Sequence, residues 1–508
     1  MDHGSGATAS FWLTAPLPEY PALAENAEAD VCVIGAGIAG LTTAYRLVRE
    51  GRSVIVIDDG PVGGGETSRT TAHLSNAFDD RYHEVERLLG ADISGAVADS
   101  HSTAIDCIEQ IVDREGIDCD FRRVDGYLFL PPGGSKDELS KELEAAHRAG
   151  LNDVRLVDRP ELSSADLGPA LLFPRQAGMH PVKYLAGLAE AIDTQGGRIC
   201  CRTRASEIED GRPTRVHTGS GHTITAQATV VATNSPVNDR FVIHTKQAPY
   251  RTFVVGFKVA QGSMPRALYW DTLDPYHYVR IAGELDDRHD LLIAGGEDHK
   301  TGQKDDAELR FERLADWTRE RFPVTGEPVY RWSGQVMEPV DALAFIGRNP
   351  GDEHVFIATG DSGQGITHGT IAGMLLCDLI VGRDNRWRDA YDPSRKSVKA
   401  ITEFAKENIN VAGQYAAWVT PGDISAIEDI PAGEGAVVRR HARKIAAYRD
   451  ADGTVHTLDA TCPHLGCVVA WNSTEKSWDC PCHGSRFDAT GRVVNGPSIV
   501  DLSRMDLH

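Results

Sequence analysis

The chain has 508 residues, enough for two or three domains with their own cores. Its formal net charge of −22 argues against nucleic acid or an anionic membrane as a partner, because both need a concentrated positive surface. Residues 1–30 contain neither a basic region with an apolar core nor a twin-arginine pair, and no apolar run approaches bilayer-spanning length, so the expected setting is cytoplasmic.

After an irregular segment holding Phe11 and Trp12, residues 30–34 read as a buried strand, Gly35-Ala-Gly37-Ile38-Ala39-Gly40 as a tight turn and 41–48 as a helix. Gly51 ends that helix, and 53–57 form the next strand, closing on Asp58 and Asp59. Such glycines let the backbone approach a pyrophosphate at a helix N-terminus, while an acid at the end of the second strand takes a ribose hydroxyl. This pattern predicts a dinucleotide site but does not separate NAD from FAD. A glycine- and hydroxyl-rich loop follows, Gly63-Gly-Gly65 running on to Ser68, Arg69, Thr70, Thr71 and His73.

Residues 79–158 read as helices over 83–89, 93–115 and 137–149 with a short strand at 126–130. Ala205 and the strand and turn 228–235, which contains Thr233, complete the early part of the expected nucleotide site. Residues 242–322 alternate apolar and polar positions over 251–259, 276–281 and 291–294, the period of strands in a mostly antiparallel sheet. Further on come Arg331-Trp-Ser-Gly-Gln335 with Pro339, Asp341 and Gly347, then a strand at 355–359. That strand leads into Gly360, Gly363, Gly365, Ile366 and Thr367 and a helix over 371–381.

These segments resemble the D-amino-acid oxidase-like superfamily, which includes glycine oxidase, sarcosine oxidase and dimethylglycine dehydrogenase. The resemblance implies FAD as the cofactor, with the loop from Ser68 to His73 and the segment from Gly360 to Thr367 against the flavin. It also implies that the strands of 242–322 roof a substrate pocket. In some members a histidine placed like His73 is bonded to the flavin, so covalent attachment stands beside an ordinary histidine as a reading. Tyr278 and Arg280 lie two apart on an expected strand, so they share a face where an arginine could hold a substrate carboxylate. Arg251, Tyr250, His277 and Gln335 are weaker candidates.

A helix over 397–412 bridges to a segment of short strands at 435–439, 443–448 and 455–458, with Asp452-Gly453 as a hairpin turn. Cys462-Pro-His464-Leu-Gly-Cys467 and Cys480-Pro-Cys482-His483-Gly-Ser485 then supply two cysteine–histidine pairs, enough to hold a [2Fe–2S] cluster with cysteines on one iron and histidines on the other. A structural zinc site is the other common use of such a set, but the doubled blocks resemble the Rieske proteins of cytochrome bc complexes. The resemblance assigns Cys462, His464, Cys480 and His483 to the metal and pairs Cys467 with Cys482 in a disulfide. It matches Ser485 to a cluster hydrogen-bond donor, while Phe487 stands where a second donor, a tyrosine, is expected. The remaining cysteines, Cys32, Cys107, Cys119, Cys200, Cys201 and Cys377, are scattered, as small buried hydrophobes are in a reducing compartment.

The expected architecture is α/β plus β. A Rossmann-like FAD domain (28–78, 159–241, 323–385) carries an inserted substrate domain (79–158, 242–322) within residues 1–412, and a small all-β Rieske domain spans 413–508. The resemblance implies removal of a hydride from a C–H next to the nitrogen of an amine or amino acid. Electrons would leave through the cluster to an external acceptor. Flow inward from an external donor, and a non-enzymatic redox sensor, are the alternatives.

Overall fold

A computed structural model describes residues 6–131, 133–162, 167–238, 243–396, 401–441 and 443–506. Two large sheets and a small C-terminal module make up the fold. The first sheet has eight strands, ordered Phe345–Arg348, Val355–Thr359, Thr223–Val231, Ala27–Ile34, Val54–Ile57 and Arg198–Cys200, with Thr214–Thr218 and Ala205–Glu209 at its margin. Pairing is parallel from Val355–Thr359 across to Arg198–Cys200. Every residue of Val54–Ile57 is buried, as expected of a parallel strand covered on both faces. Helices Ile38–Arg49, Ala91–Glu115, Pro181–Thr194 and Gly365–Val381 share one core with this sheet.

The last of these helices starts earlier than the expected 371. Gly365, Gly369 and Gly373 weaken the helical signal of its first half, yet they permit close packing: a Cβ on Gly369 would lie 2.6 Å from Ile38 Cγ2, and one on Gly373 would lie 2.4 Å from Thr42 Cγ2. The expected bridging helix is described over Ile401–Gln414, and positions 397–400 lie outside the described residues.

The second sheet has nine strands and draws on both insertions. Leu268–Asp271 pairs in parallel with Arg122–Phe129, joining two segments that the sequence separates widely. The long strand Gln247–Ala260 lies between Tyr330–Pro339 and His289–Lys300, antiparallel to both. Helix Ala307–Arg321 covers one face of this sheet.

The C-terminal module combines a three-stranded sheet (Glu434–Arg440, Arg443–Arg449, Val455–Asp459) with a four-stranded one (Ala470–Asn472, Ser477–Asp479, Arg486–Asp488, Val493–Asn495). It docks through a charge cluster. Glu475, in the turn before Ser477–Asp479, has a side chain 0% exposed and faces Arg69 Nη1 at 3.3 Å and Arg251 Nη2 at 3.2 Å. Thr8 donates from its hydroxyl at 2.6 Å and from its backbone N–H at 3.1 Å, and the Ser333 hydroxyl also donates. Burial opposes ionisation of Glu475, but Arg69, Arg251 and Arg486 outweigh it and hold the pKa at about 2.

That depressed pKa fixes the sign of an acid response. The contribution of Glu475 to stability is complete above the unfolded carboxylate value of about 4.3 and is lost as pH falls through about 2. Glu475→Ala leaves two buried guanidiniums without their carboxylate and is expected to cost about 3–5 kcal/mol, read as a lower denaturant midpoint of the full chain. The deficit relative to the parent should shrink as pH falls from 4 toward 2.

Candidate functional site

A cavity of about 600 Å³ is walled by both large sheets and by the C-terminal module. At one end the first strand runs into Gly35, Gly37, Ile38 and Ala39, all lining the cavity. Gly40 does not line it. A Cβ there would lie 1.8 Å from the Gly35 carbonyl oxygen, so its part is close packing of helix against turn. Asp58 and Asp59 also line this end, with Ala205 and Thr233. Asp58 accepts from the backbone N–H of Ala36 at 2.7 Å and of Gly60 at 2.8 Å, and burial together with Asp59 raises its pKa to about 6.

In the following loop Arg69, Thr70 and Thr71 line the cavity, although the Arg69 guanidinium is turned outward to Glu475. Ser68 donates to the Gly65 carbonyl at 2.9 Å and is not at the wall. His73 also stands back from it, in the short strand His73–Leu74. Its Nδ1 lies 3.1 Å from Thr71 Oγ1 and its ring is edge-on to Tyr278. Burial and Arg280 lower the His73 pKa to about 3. Gly363, Gly365 and Ile366 bring the N-terminus of helix Gly365–Val381 to the cavity, where its backbone dipoles favour negative charge. Gly360 and Thr367 do not line it: Gly360 turns against Pro339, and Thr367 donates to the Gln364 carbonyl at 3.0 Å.

The second sheet supplies Thr252, Tyr278 and Asp298 to the wall, and the loop before Tyr278 supplies Tyr276. Tyr278 Oη lies 2.7 Å from Thr252 Oγ1, and Tyr276 donates to Asp79 Oδ2 at 2.7 Å. Burial raises the pKa of Asp79 to about 7, and of Asp298 and Asp361 to about 6. Sequence reasoning missed these carboxylates, since nothing local distinguishes them from surface acids.

Arg280 corrects an expectation. Although two residues from Tyr278, it lies outside the cavity, donating to the carbonyls of Thr71 at 2.7 Å and Met179 at 2.9 Å and stacking over Trp12. It forms no carboxylate clamp there, because sharing a strand face does not decide which neighbour a long side chain meets. Of the weaker candidates, Arg251 belongs to the Glu475 cluster, and His277 pairs with Asp271 and stacks on Trp317. Tyr250 lies beside Lys300. Gln335 does line the cavity and donates to the Gly484 carbonyl at 3.0 Å.

The two cysteine–histidine blocks fold as matching tight loops. Cys462 N–H donates to the Cys467 carbonyl and Cys480 N–H to the Ser485 carbonyl, each at 2.8 Å. Cys467 and Cys482 are disulfide-bonded with Cα atoms 6.5 Å apart, while Cys462 and Cys480 are buried free thiols. The rings of His464 and His483 stand 5.1 Å apart, and His483 Nδ1 is buried without a hydrogen-bond partner. A buried imidazole nitrogen without a partner beside two buried thiols fits cluster ligation. The glycine turn, the acids and the helix N-terminus around a cavity of this size likewise fit a dinucleotide cofactor. Ser485 Oγ accepts from Ser498 N–H at 3.0 Å, and Phe487 is fully buried.

The C-terminal module also reaches the cavity through Val493, Asn495, Gly496 and Ser498, and Asn495 donates to Glu66 Oε1 at 3.1 Å. The six scattered cysteines are all buried. Among the described residues no helix is long and apolar enough to cross a membrane.

Residues 30–379 match the FAD dependent oxidoreductase family model, and 420–505 match the Rieske [2Fe-2S] domain. A putative Rieske 2Fe-2S iron-sulfur protein of Bacillus subtilis, YhfW, is 33% identical over 505 residues, covering 98% of this chain and 97% of that one. Gamma-glutamylputrescine oxidoreductase of Escherichia coli is 27% identical over 73% of this chain and 88% of its own. Glycine oxidase from Geobacillus kaustophilus superposes with a TM-score of 0.59 at 18% identity, covering 73% of this chain and 100% of that one.

Gly40→Ala, by forcing the first helix away from the turn, is expected to yield protein that keeps the cluster signal but carries no flavin. Visible absorbance and electron-spin spectra of the same preparation check this, and a variant with full flavin content would refute the packing role.

Proposed function

The chain belongs to the FAD-dependent oxidoreductase family and carries a Rieske [2Fe-2S] domain, and from that premise we propose that it oxidises a cationic amine and delivers the electrons through its own cluster to an external one-electron acceptor. FAD supplies the site for hydride removal from the C–H next to nitrogen, and the [2Fe–2S] cluster supplies the one-electron outlet. Gly35, Gly37, Ile38, Ala39 and Asp59 would hold the nucleotide, with Thr70, Thr71, Gly363, Gly365 and Ile366 at the flavin. Cys462, His464, Cys480 and His483 would hold the cluster. Residues 413–508 act as the electron-transfer module.

The acidic end of the cavity carries the substrate reading. An amino-acid substrate calls for a cation at its carboxylate, yet Arg280 is committed to backbone carbonyls. The wall instead presents Asp298 and Asp361, with Asp79 behind Tyr276. Carboxylates whose ionisation burial opposes are relieved by a bound ammonium group. A substrate with more than one amine suits this wall, and a relative named for gamma-glutamylputrescine accords with it. Tyr276 can pass the amine proton to Asp79, whose pKa of about 7 suits a general base near neutral pH. Tyr278, fixed by Thr252, orients the chain of the substrate.

Because the Asp79 pKa is raised, its basic form appears only as pH rises through about 7, so kcat/KM should climb across that interval. Asp79→Asn is expected to flatten this limb and to lower kcat/KM by about 10²-fold or more.

Anaerobic mixing with diamines, polyamines, N-methyl amino acids and α-amino acids tests the whole reading. Diamines and polyamines should bleach the flavin fastest, followed by the reduced-Rieske spin signal. In His464→Ala the bleaching should persist while that signal disappears. Bleaching by α-amino acids alone would sink the amine reading, and silence with every amine but prompt reduction by a ferredoxin or NADPH system would reverse the electron flow.

A further inference from the structure

The segment leading into the second sheet reaches the cluster site with a histidine of its own. His244 sits in the short 3-10 turn His244–Lys246, directly before the long strand Gln247–Ala260, and is only 2% exposed. Its ring stands edge-on to His464, centroids 4.9 Å apart at 77°, and to His483 at 6.0 Å and 63°. With the 5.1 Å contact between His464 and His483, three imidazoles pack edge to face across the junction of the two modules.

The adjoining contact is equally close. Gln335 lines the cavity and donates to the carbonyl of Gly484, the residue after His483. At Gly484, where φ is +78°, a Cβ would lie 2.5 Å from Pro249 Cβ. A Cβ on Gly302 would lie 2.8 Å from the Asp479 carbonyl oxygen. The second cluster loop is therefore pressed onto the sheet that walls the cavity, with no space for an intervening side chain. The buried Glu475 cluster holds the same module from the other side of Ser477–Asp479.

We propose that His244 is a positioning residue that closes the histidine edge of the cluster site against the sheet that walls the cavity. Electron exchange between flavin and cluster then crosses a fixed intramolecular contact, with Gln335 as the hydrogen-bonded link from cavity wall to cluster loop. Each crossing moves one electron and neither makes nor breaks a bond. Two crossings empty the flavin of one hydride equivalent, and an external one-electron acceptor removes each electron from the cluster. The inference rests on the two cofactors exchanging electrons within one chain, not on the identity of the substrate.

Flash photoreduction of the full chain with deazariboflavin and EDTA, without substrate, tests it. In the wild-type protein the phase in which the flavin reoxidises as the cluster is reduced should be independent of protein concentration and of glycerol viscosity. His244→Ala should slow that phase severalfold, because loosening the contact lengthens the gap the electron crosses. His244→Phe, which keeps a ring of similar shape, should transfer at close to the wild-type rate. A His244→Ala protein transferring at the wild-type rate overturns the assignment. If the alanine variant fails to load a cluster, the phenylalanine variant and the wild-type viscosity series decide: a rate falling in proportion to viscosity shows a module that must swing, and refutes the fixed contact. Silence toward amines would defeat the substrate reading while leaving these results intact.

Discussion

Burial of a single carboxylate, Glu475, among guanidinium groups from distant parts of the chain is the constraint on which the rest of the structure depends. Removing such a group from water is costly, and its surroundings compensate only when the geometry leaves no oxygen unsatisfied. Here Arg69, Arg251, Ser333 and Thr8 all reach it. These partners come from the N-terminal segment, the loop expected at the flavin and two strands of the second sheet. A non-directional apolar contact would tolerate several orientations of the C-terminal module, whereas this set of hydrogen bonds is satisfied in one.

The loop carrying Arg69 is consequently held from outside as well as from the cavity. Ser10 donates to the Ser68 carbonyl at 2.5 Å, the Trp12 indole N–H to the Thr70 carbonyl at 2.6 Å and the Trp332 indole N–H to the Arg69 carbonyl at 2.8 Å. Trp12 also lies against the Arg280 guanidinium, which donates to the Thr71 carbonyl. Consecutive carbonyls from Ser68 to Thr71 thus point away from the cavity into fixed donors. Docking of the cluster module and the shape of this loop are mechanically one feature.

Local signals carried much of this architecture. The strand–turn–helix around Gly35 and Gly37 follows from short-range sterics, the two cysteine–histidine blocks from ligand spacing, and the sheet strands from short apolar-rich runs bounded by turn residues. What stayed hidden depends on contacts between residues hundreds of positions apart. His244 gains its meaning only from His464 and His483, and Glu475 only from Arg69 and Arg251. The wall built by Val493 to Ser498 exists because the module docks. Arg280 shows the opposite failure: its strand position was legible, but whether it met the cavity or the back of the loop from Ser68 to Thr71 depended on Trp12, whose segment reads as irregular in the sequence.

Charge is sorted by face. Arg69 and Arg251 point into the dock, and Arg280 lies against backbone carbonyls and an indole. Burial lowers the pKa of Arg280 only to about 9, so it remains a cation at neutral pH. Asp298 and Asp361 face the cavity, with Asp79 and Asp80 close behind. Arg81 lies near Asp79 and Asp80 but donates to the carbonyls of Asp79 and Asp271, and a guanidinium on the wall itself would repel an ammonium group. With Arg69, Arg251 and Arg280 all turned away from the cavity, the arrangement that fastens the cluster module leaves the carboxylates of the cavity available to a positively charged molecule. Docking and the electrostatic character of the pocket are in this way two consequences of one arrangement of arginines.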